Sequence, residues 1–302
     1  MSESMVIWPL PTVQECAFAD WSEERPITVV TTAAAWAAVQ PLLAHLTIAA
    51  HIEVTDADIA AWQAFGTAVQ GQAIYAVGGG LAVDAAKFLS GAHELPLICM
   101  PTVLSVDAFF TWASGVRENG CVRYIVTRPP DLVIMDYAVL AAAPPSIRAA
   151  GICDVLSIAT GSWDWRFAEA EKRNPPNMRY AAWADRMAAT ILDAALECAE
   201  AAGQGERAGL KQLADCLALE VQLCNQLGHS CAEEEASTTS PPVENVLGKG
   251  LAHGDLVDRA SCAWPRRRGR TLPCATHSGA CIPLDRIPPT VVEQTLWRCR
   301  PT

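Results

Sequence analysis

Three consecutive glycines, Gly78, Gly79 and Gly80, stand one helical turn before Asp84 and Lys87, and these residue types together could bind a phosphate. The glycines follow a short apolar run typical of a buried strand, and apolar residues at helical spacing come after them. A strand, a glycine turn and a helix present backbone N–H groups and the positive helix end to an anion. Asp84 and Lys87 are expected on the helix face nearest the glycines. An ordinary tight turn is the alternative, because the spacing is not G-x-G-x-x-G.

A second set of polar residues follows the next apolar run, at residues 97–100. Thr102 and Ser105 could bond phosphate or ribose oxygens, since open parallel sheets hold ligands at the carboxyl ends of their strands. We assign Thr111 to the same cofactor-binding set. Turn capping is an equally good account of Thr102 and Ser105 taken alone. Asp107, between Val106 and Ala108, is a carboxylate in an apolar setting.

The elements that must position these residues alternate along the first half of the chain. Apolar, partly β-branched runs predict strands at residues 27–31, 46–54, 73–77, 97–100 and 132–135. Helices are predicted at residues 33–39 and 56–69, the second capped by Thr55 or Asp56. Strands alternating with helices indicate a parallel sheet with helices on its faces. Residues 1–20 carry few periodic signals, so an irregular lead-in is expected.

The composition changes near residue 144, where strand signals end. Long alanine- and leucine-rich helices are predicted at residues 146–170, 180–202 and 206–227. Asp154 lies early in the first of them, where an aspartate by itself is usually a cap or a partner of the helix dipole. We therefore divide the chain into an α/β nucleotide-binding domain at residues 1–143, a helical domain at 144–257 and an atypical tail at 258–302.

Composition and charge limit the classes of function. The chain has 302 residues, of which 51% are hydrophobic and 18% charged, and this is a globular composition. The net charge of −11 argues against nucleic acid or an anionic membrane as a partner. No apolar run reaches the roughly 18 residues of a membrane span. The 12 cysteines form no C-x-x-C motif, so we expect buried thiols and a cytoplasmic protein. We also expect a homo-oligomer.

The motifs at residues 78–87, 101–107 and 151–154, with Asp164-Trp165 ten residues on, resemble the glycerol-1-phosphate dehydrogenase family. That family belongs to the superfamily of iron-type alcohol dehydrogenases, glycerol dehydrogenase and dehydroquinate synthase. The resemblance covers about residues 29–257. It implies an α/β N-terminal domain with a parallel sheet that binds NAD or NADP. It also implies an all-α C-terminal domain and one divalent metal ion in the cleft between them, with zinc favoured over iron or nickel.

The resemblance also assigns roles to single residues. Gly80 to Asp84 would hold the cofactor pyrophosphate, and Thr102 to Ser105 would lie on the nicotinamide side. Asp107 would bind substrate hydroxyls, Asp154 would be the first metal ligand, and His253, in His-Gly-Asp, would be the last.

The implied activity is oxidation and reduction of a CH–OH group by an NAD(P)-dependent, metal-assisted dehydrogenase. Its substrate would be glycerol 1-phosphate, dihydroxyacetone phosphate or a similar small polyol phosphate, as used in phospholipid metabolism. Three alternatives remain open from the sequence. They are a glycerol or other alcohol dehydrogenase of the same superfamily, a sugar-phosphate cyclase such as dehydroquinate synthase, and a catalytically impaired nucleotide-binding remnant.

Two segments depart from the family pattern. The second metal ligand should be a histidine in Gly-Ser-Glu-His, but residues 234–242 contain none. Codons that can encode residues 235–241, read two bases later, give Ser-Glu-His-Tyr-Phe-Ala. The tail at 258–302 holds 8 of the chain's 22 lysines and arginines and lacks helical periodicity. We interpret both segments as frameshifted. A basic tail evolved for a partner, and His229 as a substitute metal ligand, are the alternatives.

Overall fold

A six-stranded parallel sheet lies at the centre of the computed structural model, which describes residues 8–118 and 121–232. Its strands are β1 Thr12–Glu15, β2 Ile27–Thr31, β3 Ile48–Glu53, β4 Ala73–Gly78, β5 Leu97–Pro101 and β8 Leu132–Met135. Their order across the sheet is β1-β8-β5-β4-β2-β3, with every neighbouring pair parallel. A separate antiparallel hairpin consists of β6 Ala113–Glu118 and β7 Cys121–Val126.

The central strands form where the sequence predicts them, because they are buried on both faces. Every residue of β2, β4 and β5 is buried, so these strands are nearly continuous apolar runs. β2 and β8 have the predicted bounds, and the strand predicted at residues 46–54 is shorter at both ends. The predicted parallel sheet is confirmed.

Helices cover both faces of the sheet, and further helices follow its last strand along the chain. They are α1 Ala33–Val39, α2 Ile59–Phe65, α3 Gly80–His93, α4 Tyr137–Ala142, α5 Pro145–Arg148, α6 Ala150–Ala170, α7 Ala182–Gln204 and α8 Arg207–Leu227. The prediction that α2 starts at residue 56 is wrong. Asp58 is its N-cap, and the Asp58 carboxylate accepts the Ala60 N–H at 2.9 Å.

Three further predictions require correction. Residues 12–15 form β1 rather than an irregular lead-in, because they pair with β8 at the sheet edge. The hairpin of β6 and β7 was not predicted. The helix predicted at residues 146–170 is divided between α5 and α6 at Ala149.

The helical region is built on two long, closely packed helices. α7 ends at Gly205, which adopts φ +81° as a left-handed C-cap, and α8 begins two residues later. The helices approach closely at Gly209, where an added Cβ would lie 2.4 Å from the Ala202 nitrogen. The α/β region followed by helices confirms the predicted fold class over the described residues. None of the described helices is long and apolar enough to span a bilayer.

A polar network on one face of the sheet predicts acid-dependent stability. The Glu23 carboxylate accepts hydrogen bonds from Arg25 Nη2 at 2.6 Å and from the Tyr75 hydroxyl at 2.7 Å. The Arg25 guanidinium lowers the pKa of Glu23 to about 2, although burial opposes this. A carboxyl with a depressed folded pKa contributes stability above its unfolded pKa and loses it as the pH falls towards 2. We expect Glu23→Gln to remove about 1–2 kcal/mol at neutral pH.

Urea denaturation between pH 7 and pH 2 measures this effect. The difference between wild type and Glu23→Gln should shrink as the pH falls from about 4.5 to 2. Glu24→Gln, an exposed neighbour, is the matched control and should follow the wild-type curve. A difference that is constant with pH would contradict the role of the Glu23 charge.

Candidate functional site

A cleft of about 840 Å³ lies beside the carboxyl ends of β4 and β5, between the α/β region and the long helices. Its walls come from the start of α3, the loop after β5, the β6–β7 hairpin, α6 and the end of α8. Open parallel sheets place their ligand sites at this edge. Six residues predicted from the sequence line it: Gly80, Asp84, Ser105, Asp107, Thr111 and Asp154.

The glycine turn connects β4 directly to α3. Gly78 has φ +149°, a conformation that favours glycine, and its carbonyl accepts the Thr102 N–H at 3.1 Å. Gly79 is the N-cap of α3 and makes no side-chain hydrogen bond to the helix. The first N–H groups of α3 can therefore bind other partners. An added Cβ on Gly80 would lie 2.8 Å from Val106 Cγ2. The turn therefore fits a cradle for an anionic group.

The remaining predicted cofactor residues are not part of the cleft lining. Gly78, Gly79 and Thr102 are not among the described residues that line the cleft. Lys87 is fully buried beneath the cleft wall. Its ammonium lies 2.9 Å from Asp84 Oδ1 and donates to the Ala113 carbonyl. We therefore assign Lys87 to holding Asp84 and β6 in place rather than to contact with a ligand.

Asp84 links helix α3 to the hairpin. Its second carboxylate oxygen accepts the Gly115 N–H at 3.1 Å, and its backbone carbonyl accepts the Ser114 hydroxyl at 3.1 Å. Burial raises the pKa of the Asp84 carboxyl, and the Lys87 ammonium opposes that shift. The pair thus fixes the position of β6 above the start of α3.

Asp107 and Asp154 meet although they lie 47 positions apart in the sequence. The backbone N–H of Asp107 donates to Asp154 Oδ2 at 2.9 Å, and the Asp154 side chain is buried at the start of α6. Gly151 allows this approach, because an added Cβ there would lie 2.6 Å from the Leu104 carbonyl oxygen. The structure therefore places the Asp107 backbone against the Asp154 carboxylate, and both residues line the cleft.

Several residues of the cleft were not found by sequence reasoning. Arg117 and Tyr124 reach it from the hairpin, and Trp8 reaches it from the start of the described chain. The Trp8 ring stacks on Trp112 with centroids 6.3 Å apart, and its carbonyl accepts the Asn225 amide at 3.0 Å. These residues come from three separate parts of the sequence.

His229, considered from the sequence as a substitute metal ligand, also lines the cleft. Its ring packs edge-on against Trp165 at 5.3 Å, and its Nδ1 accepts the Cys231 N–H at 3.3 Å. Burial lowers the pKa of His229. The imidazole is therefore biased towards its neutral form.

The described residues do not supply a metal site by themselves. Within residues 8–118 and 121–232, no group of three histidine, cysteine, aspartate or glutamate side chains is placed to hold a metal ion. Asp154 is present in the cleft, but His253 and the segments interpreted as frameshifted lie outside the described residues.

The architecture is that of the iron-containing alcohol dehydrogenase fold. A probable glycerol dehydrogenase from Sinorhizobium meliloti superposes on 97% of this chain and 81% of its own, with TM-score 0.67 and 17% identity. Glycerol dehydrogenase from Schizosaccharomyces pombe matches 88% of this chain and 73% of its own, with TM-score 0.62 and 19% identity. These similarities confirm the fold predicted from the resemblance.

Sequence comparison identifies closer relatives over part of the chain. Residues 23–144 match the family of iron-containing alcohol dehydrogenases. Glycerol-1-phosphate dehydrogenase [NAD(P)+] of Methanosphaerula palustris is 34% identical over 39% of this chain, and that of Methanosarcina barkeri is 36% identical over 41%. These matches cover about a third of the relatives' length, 33% and 34%. The resemblance stated from the motifs is confirmed for this part of the chain.

Proposed function

We propose that the chain is an NAD(P)-dependent dehydrogenase that interconverts a small polyol phosphate, glycerol 1-phosphate, with the corresponding ketone, dihydroxyacetone phosphate. The observation that carries the proposal is the single cleft that joins the glycine turn to the Asp107–Asp154 pair. The names of the relatives that match part of the chain support the same activity. A glycerol or other alcohol dehydrogenase is the second candidate, which the neighbouring solved structures favour.

The arrangement supports a division of the cleft into two parts. The start of α3 at Gly80 would hold the cofactor pyrophosphate, because its N–H groups and helix dipole favour an anion. Asp107 and Asp154 lie on the wall beyond it, where the substrate hydroxyls would bind. A bound nicotinamide would supply the acceptor for the hydride of the carbinol carbon. The chain's own groups orient the alcohol and accept hydrogen bonds from its hydroxyl groups.

The metal ion remains a prediction. The matched family of iron-containing alcohol dehydrogenases and the position of Asp154 support one divalent ion, for which zinc is our preferred identity. Since no three-ligand group occurs within the described ranges, metal binding would depend on residues beyond Ala232, where His253 is the predicted ligand. A cytoplasmic location, a homo-oligomeric state and the absence of a nucleic-acid partner likewise remain predictions from the sequence.

Dinucleotide binding tests the proposal without requiring turnover. Gly80→Ala places a methyl group 2.8 Å from Val106 Cγ2 and should displace the loop that faces the first turn of α3. We expect the affinity for NADH or NADPH to fall at least about tenfold, because that is the usual effect of losing a hydrogen bond to a charged group. Titration of the reduced cofactor by fluorescence measures the dissociation constant.

Gly91→Ala is the matched control in the same helix. A Cβ at Gly91 meets no heavy atom within 4 Å, so this variant should bind the cofactor normally and gain up to about 1 kcal/mol of stability. Wild-type protein that binds neither dinucleotide, or equal affinities in wild type and Gly80→Ala, would contradict the assignment of the glycine turn.

A further inference from the structure

We propose that Arg117 binds the phosphate group of the substrate, so that the cleft selects a phosphorylated polyol over a free polyol. This inference rests on the proposed function and adds the group that would recognise the substrate. Among the described residues that line the cleft, Arg117 is the only lysine or arginine. A guanidinium suits a phosphate because its planar N–H donors can bind two phosphate oxygens at once.

The register of the hairpin places Arg117 over the cleft. Gly115 pairs with Tyr124, and both residues line the cleft together with Arg117. Successive residues of a strand point to opposite faces, so Val116 and its partner Arg123 belong to the other face. The two arginines of the hairpin are therefore separated by the sheet geometry, and only Arg117 lines the cleft.

The backbone around Arg117 is held in place from two sides. The Arg117 N–H donates to the Ala57 carbonyl at 2.8 Å, in the loop after β3. Two residues earlier, the Gly115 N–H donates to Asp84 Oδ2 at 3.1 Å, and the buried Lys87 ammonium donates to the Ala113 carbonyl. These contacts fix the backbone that carries the guanidinium, so less backbone entropy is lost when a ligand binds.

The position of Arg117 matters for phosphate binding because carboxylates also line the cleft. The carboxylates that line it are Asp56, Asp84, Asp107 and Asp154. Asp84 is paired with the Lys87 ammonium, whereas the other three carboxylates suit hydroxyls but repel a phosphate. The Arg117 guanidinium offsets that repulsion. Phosphate also occurs in the dinucleotide, but the α3 N-terminus provides for that group separately. We therefore assign Arg117 to the substrate.

Calorimetric titration separates the two sources of phosphate. Inorganic phosphate, glycerol 1-phosphate and glycerol are each titrated into the full-length chain, with and without saturating NADH, and NADH is titrated alone. Wild type should bind glycerol 1-phosphate at least about tenfold more tightly than glycerol, and Arg117→Gln should lose about tenfold for both phosphate ligands. Its affinities for glycerol and NADH should not change. Arg117→Lys keeps the charge and should give an intermediate affinity.

Arg123→Gln is the matched control on the opposite face of the hairpin and should behave as wild type, with circular dichroism confirming that each variant is folded. Unchanged phosphate affinity in Arg117→Gln, an equal loss in Arg123→Gln, or no phosphate binding by wild type overturns the inference. A loss confined to NADH assigns Arg117 to the dinucleotide and also overturns it. Arg117-dependent phosphate binding by a chain that fails to bind NADH supports the inference and contradicts the proposed function.

Discussion

Replacing Lys87 with methionine should destabilise the protein by about 3–5 kcal/mol, the usual result of removing one partner of a buried ion pair. The Lys87 side chain is fully buried, and the Asp84 carboxylate that it neutralises is only 18% exposed. Methionine fills a similar volume but leaves that carboxylate without its cation. It also leaves the Ala113 carbonyl without the ammonium donor. Urea denaturation followed by tryptophan fluorescence measures the change in the free energy of unfolding.

The double variant Asp84→Asn/Lys87→Met distinguishes the charge from the packing. Removing both charges avoids an uncompensated carboxylate, so the double variant should be more stable than Lys87→Met alone. A loss below about 1 kcal/mol in Lys87→Met, typical of exposed pairs, would show that the pair does not fix β6 to α3. If the changes in the free energy of unfolding caused by the two single substitutions simply add up in the double variant, Asp84 and Lys87 are not coupled.

Replacing Gly209 with alanine should destabilise the helical region by about 1–3 kcal/mol, the range measured for overpacking. Its Cβ would lie 2.4 Å from the Ala202 nitrogen and 2.6 Å from the Ala201 carbonyl carbon. These are backbone atoms, so no rotamer change relieves the clash and α7 and α8 must separate. The gain in helix propensity from glycine to alanine is smaller than this cost. The loss should appear as a lower midpoint of thermal unfolding.

Gly203→Ala provides the comparison within α7. A Cβ at Gly203 meets no heavy atom within 4 Å, so the same chemical change should stabilise the protein by up to about 1 kcal/mol. Changes in stability of opposite sign for the two variants would establish that contact between the helices, rather than helix propensity, decides the result. Equal stabilisation by both would show that the helices do not approach as closely as described.

The strands of the sheet interior could be predicted because the apolar pattern of each strand is visible in its own sequence. Strands buried on both faces must be apolar, and residues 27–31 and 132–135 show this without reference to their neighbours. All four residues of β1 are exposed, so its sequence carries no apolar run and only pairing with β8 makes it a strand. The hairpin did carry a signal, the dipeptide Asn119-Gly120 between two short strands, and our interpretation missed it.

The site could be predicted only where its residues belong to continuous motifs. Gly80, Asp107 and Asp154 lie in such motifs, and the structure places all three on one cleft. Arg117 reaches the cleft through the pairing of β6 with β7, so no local pattern marks it. The burial of Lys87 could not be foreseen either, because helical spacing gives the face of a side chain but not what packs over it.

The position of β1 at the sheet edge has a consequence for synthesis on the ribosome. Thr12 pairs with Leu132, about 120 positions later in the chain, and every other strand of the sheet is made in between. At translation rates of about 5–20 residues per second, β1 leaves the ribosome roughly 6–24 s before its partner. During that interval its backbone donors and acceptors must be satisfied by water or by a chaperone. Within the described sheet, β1 can therefore pair only after β8 has been made.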